Sequence, residues 1–185
     1  MIPRVSSVAL IACAAFAPAC APTTPIDQFQ STLPVMVIDT HHKEMGRKNH
    51  SKLSSDFVDA TAVLYDVDAD GLAYTGAPVD YTGNAAIHVR GNSSREEYEK
   101  VSFRLELRDN AGKDLAAPLL GMPKEADWVL QAPYSDKTLM RNHVMYSLSR
   151  DIGRYAPRTR FIELFVVDDR RQPSTRHYRG IYVLT

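Results

Sequence analysis

The chain has 185 residues, 22 basic and 22 acidic side chains, zero formal charge and 44% hydrophobic content. That is enough chain for one domain with a true core, and the balanced charge argues against a general nucleic-acid binder, which carries a basic excess. Both cysteines, Cys13 and Cys20, lie near the N-terminus, so the rest of the chain must fold without an intramolecular disulfide.

Residues 1–20 carry Arg4, a mostly apolar run over 5–16 and small residues just before Cys20. This predicts a secretory signal peptide, too short to span a membrane. A cysteine at the cleavage point predicts a bacterial lipoprotein lipidated on Cys20. Cys13 is the alternative, because Leu10-Ile11-Ala12 stands before it, and a plain signal cut after Ala19 is the other reading. The protein is therefore expected to be exported, either freely secreted or held at the cell envelope, with membrane contact only through a lipid anchor. Residues 21–33, rich in Pro, Thr and Gln, are expected to form a flexible tether.

Residues 33–39 are a compact apolar run and predict the first strand. Residues 40–55 are polar and aperiodic and predict a loop. It holds His41, His42 and His50 without a carboxylate or cysteine at ligand spacing, so no metal site is expected there. Residues 57–67 predict a second strand. Asp66, Asp68, Asp70 and Gly71 open like a calcium loop, but the twelfth position is Ala77 and no amphipathic helix follows, so a turn is expected. A further turn is predicted over 80–85.

Residues 87–108 hold two runs of strict alternation around a small, basic loop. Ile87 and Val89 point one way along the first strand, and Val101, Phe103, Leu105 and Leu107 share a face of the second. Period-2 alternation predicts paired, half-buried strands. Such a hairpin places Arg90 and Arg104 on one polar face with residues 91–94 at the tip. That surface is either a site for an anion, where glycine backbone, hydroxyls and fixed charges converge, or an ordinary solvated face.

A turn is predicted over 109–112, an apolar connector over 115–121, a short helical turn over 123–126 and a buried strand over 127–131 with Trp128. From Ser135-Asp136 to Gly153 a helix of about four turns is expected, with Met140, Val144, Leu148 and Ile152 as its buried stripe. Arg141 and Asn142 lie beside that stripe. Residues 161–167 are apolar on both faces and predict a central strand. Residues 168–175 predict a charged loop and 178–185 a last strand. A chain ending in that strand would leave a bare sheet edge or apolar face, which predicts poor solubility.

Several stretches, in order, carry a resemblance: Arg90-Gly-Asn-Ser-Ser-Arg95, Lys100-Val-Ser-Phe-Arg104-Leu, Leu119-Leu-Gly-Met-Pro123, Asp127-Trp-Val-Leu-Gln through Arg141-Asn142, Tyr155-Ala-Pro-Arg158, and Gly180-Ile-Tyr-Val-Leu-Thr185. Over residues 34–185 the chain resembles the CotH family, atypical kinases first known from spore coats. The resemblance implies an α+β, atypical protein-kinase-like fold, mostly antiparallel strands with one long helix, here reaching as far as the start of the C-terminal lobe. It implies ATP and Mg or Mn as cofactors and a protein partner with acceptor serines. The metal ligands and catalytic aspartates are expected beyond Thr185. Arg90, Ser93, Ser94, Lys100, Arg104 and Arg141 are the candidate nucleotide- or phosphate-binding residues. The alternatives are a non-catalytic coat or surface scaffold that binds a protein partner and a carbohydrate-binding module. Nine scattered tyrosines without a platform give the last reading little to stand on.

Overall fold

The structure is a computed structural model and describes residues 24–43, 45 and 57–185. The signal segment, Cys13, Cys20 and His50 lie outside the described residues. Strands dominate: β1 (Gln30–Ser31), β2 (Val35–Asp39), β3 (Val58–Tyr65), β4 (Ala73–Tyr74), β5 (Tyr81–Arg90), β6 (Ser102–Arg108), β7 (Asp127–Gln131), β8 (Arg160–Val167) and β9 (Tyr178–Leu184). The helices are α1 (Ser93–Glu97) and α2 (Arg141–Asp151).

Seven strands close into a barrel in the order β2-β3-β5-β6-β7-β9-β8. Neighbours run antiparallel except at the seam, where β2 lies parallel to β8. This corrects the expected kinase-like α+β fold. The cause is visible in the strands: each turns apolar side chains to one side of the sheet, and the sheet curls until β8 meets β2, so it buries that apolar face against itself. A closed sheet needs no helix layer to cover it. β9 is paired on both sides, with β7 and with β8, so the bare sheet edge expected there does not exist.

The barrel interior is filled by Met36, Leu64, Ile87, Leu105, Trp128, Ile162 and Tyr182, set against the small Ala60, Ala62 and Ala85 of β3 and β5. Mixing small and large side chains lets a narrow barrel pack without a pore. A second cluster lies outside the wall. Val35, Val37, Phe165 and Val167 point outward and are covered by Ile26 and Ala73, with Phe29 packed alongside. β2 and β8 are therefore apolar on both faces, as β8 was expected to be. Residues 24–33 correspondingly do not behave as a tether: a short 3-10 turn over Ile26–Gln28 and strand β1, paired with β4, hold them to the barrel.

β5 and β6 pair as expected, with Val89 opposite Phe103 and Ile87 opposite Leu105 on the inner face. Its first strand is longer than expected, because residues 81–85, read as a turn, pair with β3. Residues 123–126 are extended, bridging Ala117 through Glu125, and accept the Trp128 indole N–H at 3.0 Å on the Glu125 carbonyl. The Asp66–Gly71 stretch is a turn, with Asp68 Oδ1 accepting the amides of Asp70 and Leu72.

The expected four-turn helix is shorter and turned outward. Asp136 does not start it directly. Its carboxylate accepts the Thr138 amide and hydroxyl and the Arg141 amide, while Leu139 takes φ of 61°, which keeps residues 137–140 out of the helix. Gly153, at φ 77°, ends the helix as predicted. None of α2 is buried, and Ile152 of the apolar stripe is 76% exposed. The helix is held instead by His143 against Thr159, at 2.6 Å, and by Arg150 on the Pro157 carbonyl. Periodicity reports an apolar face and not what covers it.

Candidate functional site

At one end of the barrel, where the β5–β6 connection meets the start of β9, lies a cavity of about 580 Å³. Its apolar wall is Val89, Phe103 and Tyr182. Its polar groups are Arg95, Glu99, Lys100, Asp168 and Arg179, and Tyr98, Tyr134 and Tyr178 stand around it. That size falls within the range of small-molecule and cofactor sites, and the pattern of apolar walls with a few converging polar groups is also theirs.

Local chain geometry brings these groups together. β5 ends at Arg90, and Gly91 then takes φ of 112°, a backbone that side-chain-bearing residues rarely adopt. The single turn of α1 follows and delivers Arg95 and Tyr98 to the cavity. The Arg95 Nε is buried with no hydrogen-bond partner among the described residues, a costly state for a cationic donor. Tyr98 and Tyr134 pair with ring centroids 5.2 Å apart, and the Lys137 ammonium lies 5.3 Å from the Tyr134 ring.

Lys100 precedes β6 and reaches across to β9. Its Nζ donates to the Ile181 carbonyl at 2.6 Å and lies 4.5 Å from the centre of the Tyr182 ring. Burial pulls the ammonium below its ordinary pKa, and the Glu163 carboxylate pulls it partly back. The Tyr182 ring stacks on Phe103 at 5.9 Å and its hydroxyl donates to the Val101 carbonyl at 2.9 Å, while burial pushes its own ionisation up. Arg179 donates to Asp168 at 2.9 Å. Tyr178 donates to Glu163, whose other oxygen accepts from Ser31 at 3.1 Å.

Of the six residues singled out in the sequence, Lys100 alone lines the cavity. Arg90 ends β5 exposed, and Ser93 and Ser94 are exposed in α1. The Ser94 hydroxyl fills the place where a Cβ on Gly91 would stand, 2.5 Å away, so this loop is ordered by its own side chain. Arg104 points outward and grips Asp127 through Nε and Nη2 at 3.1 and 2.7 Å. Arg141 begins α2, with Nε 3.5 Å from Asp136 and its side chain 75% exposed. Arg95, Arg179, Asp168 and the tyrosines were not singled out. Arg95 closed a quoted motif, and that position was its one available signal.

Together the groups form a half-enclosed, cationic, aromatic-walled site. Arg95, Lys100 and Arg179 line it with Glu99 and Asp168, and Glu163 acts on Lys100 from β8. Arg179 is paired with Asp168, whereas Arg95 and Lys100 make no ion pair among the described residues, which leaves them open to an anion. For a divalent metal the donor set does not fit: Asp168 is taken up by Arg179, and no group of three or more His, Cys, Asp or Glu side chains converges among the described residues. A family model described as CotH kinase protein matches residues 87–185. The matched stretch supplies nearly all of the cavity wall. No curated protein matches the chain.

Proposed function

The chain belongs to the CotH kinase protein family, and from that premise we propose that the cavity holds the phosphates of ATP for transfer of the γ-phosphoryl group to serine hydroxyls of a partner protein. Phosphoryl transfer asks of the protein mainly positioning and neutralisation of charge. The observation that carries the reading is Lys100: a half-buried ammonium in a cavity of nucleotide size, fixed by a backbone carbonyl and an aromatic face. Arg95, whose buried Nε has no partner among the described residues, lines the same cavity. A triphosphate would give that donor the acceptor it lacks. The Tyr98 and Tyr134 rings, tilted 33° to each other at the cavity, supply aromatic faces of the kind a nucleobase stacks on.

The role assigned to this stretch is to hold nucleotide. Metal binding and activation of the acceptor hydroxyl are not assigned to its residues. The acceptor is read as a coat or envelope protein, in keeping with the family and with the signal peptide expected from residues 1–20; a mature N-terminus bearing a diacylglyceryl group on Cys20 would establish the lipoprotein form.

Titration of the protein with ATP, with and without Mg²⁺ or Mn²⁺, tests the reading by calorimetry. Lys100→Ala is expected to weaken binding by about tenfold to a hundredfold, the worth of one charge-assisted contact. Equal affinity in wild type and Lys100→Ala removes the cavity from nucleotide binding. No binding by either favours the scaffold alternative.

A further inference from the structure

The β8–β9 ladder is regular from Arg160 opposite Leu184 to Leu164 opposite Gly180, and then slips, so that Phe165 faces Tyr178 and Arg179 is left unopposed. This is a β-bulge, a device that re-aims side chains and is common beside functional sites. Two consequences converge on the cavity. Arg179, the extra residue, turns its side chain to the cavity and to Asp168. Gly180 takes φ of 90°, and a Cβ placed there would lie 3.0 Å from Lys100 Nζ and 3.7 Å from Cε. The Lys100 amine thus packs against the open face of Gly180, where a Cβ would press on it and push it aside by a few tenths of an ångström, and it bonds the next carbonyl along, that of Ile181.

We propose that Gly180 is a positioning residue: the bulge and the missing side chain together seat the Lys100 amine against β9 and turn it toward the cavity. The seat itself stands on geometry; its service to phosphate binding rests on the nucleotide reading above. The groups facing Lys100 are consistent with a fixed seat. Tyr182 lies under it, Glu163 acts on it from β8, and the other charges lining the cavity are Arg95 from α1, Glu99 beside it, Asp168 after β8 and Arg179 from β9. A lysine free to swing into water would not be held below its ordinary pKa by burial.

The test is a double-mutant cycle on the full chain, read by thermal unfolding and by ATP binding. Gly180→Ala lowers the midpoint of wild type, through strained backbone and through contact with Lys100. In the Lys100→Ala background the second component is gone, so the same substitution lowers the midpoint by less. If Gly180→Ala alone does not fold, a folded Gly180→Ala/Lys100→Ala variant is the expected result, and an unfolded one beside a folded Lys100→Ala overturns the proposal. Equal shifts in both backgrounds also overturn it. For ATP, Gly180→Ala raises Kd by about tenfold, and the alkaline limb of its binding profile moves up toward that of an ordinary lysine. Coupling in unfolding without any nucleotide binding leaves the seat in place and removes the nucleotide reading.

Discussion

Arg104 and Lys100 lie four residues apart and end in opposite surroundings. On the outer wall Arg104 and Arg108 build an exposed lattice with Asp59, Glu106 and Asp127, and both guanidiniums lean on the Phe57 ring at 5.6 and 5.4 Å. Every charge there has a partner, and water reaches most of them. At the cavity Lys100 is half buried and, among the described residues, has one carbonyl as its hydrogen-bond acceptor, and the Arg95 Nε has none. A surface lattice satisfies itself; a buried, under-paired set is suited to receive an anion from solution. The two positions have the same parity in the sequence, so strand alternation carried back from Arg104 would put Lys100 outside as well. It ends inside because residues 98–101 leave the pleat before β6 begins.

The comparison can be broken most directly at the cavity. Arg95→Ala together with Lys100→Ala is expected to cost ATP affinity about a hundredfold or more, with a shallower salt dependence than wild type, since charge-assisted contacts each contribute about 1.5–3 kcal/mol; calorimetry at two ionic strengths reads both. Unchanged affinity would place the cavity with the outer wall as self-satisfied surface.

A smaller effect comes from pH. The folded chain binds the Lys100 proton less tightly than the unfolded chain does. Stability therefore rises with pH between the lowered folded value and the ordinary value of about 10.4, and the cost is fully present below that window. Lys100→Met should flatten this alkaline rise in a urea series taken over pH. Because the cation is the form that pairs with phosphate, ATP affinity in wild type should fall at a lower pH than an ordinary lysine allows.

The smallest effect is expected at the outer wall. Arg104→Ala should leave ATP binding unchanged and lower stability by less than about 1 kcal/mol, the usual worth of an exposed ion pair. A large loss of affinity on that substitution would erase the distinction between the two clusters.

What could be read from the sequence follows from which forces are local. The alternation of Ile87 to Arg108 set both faces of the two strands, because side-chain direction along a strand depends on the chain itself. Gly153 closed its helix for the same reason. Closure of the barrel was not legible, since it depends on β2 meeting β8, a pairing that no window of sequence contains. The stripe of α2 misled because apolar spacing presupposes a covering surface, which the described residues do not supply. In the site, Lys100 was found through its motif and its place before a strand. Arg179 was missed because the bulge that aims it is a mismatch between two strands. Arg104 was chosen because a basic residue on a polar face looks the same whether it meets an anion or an aspartate.

The parallel seam also governs how the molecule comes into being. Thr40, just past β2, bonds the Val167 carbonyl across 127 residues of chain. A chain made from its N-terminus presents β2 long before β8 exists, and the entropy of closing so large a loop is spent before any contact rewards it. Until then Val35, Met36, Val37 and Ile38, buried on both faces in the finished barrel, offer a ready edge to any other unpaired strand. The same feature that later removes every edge from the barrel leaves the nascent chain with a long interval in which it is vulnerable to mispairing.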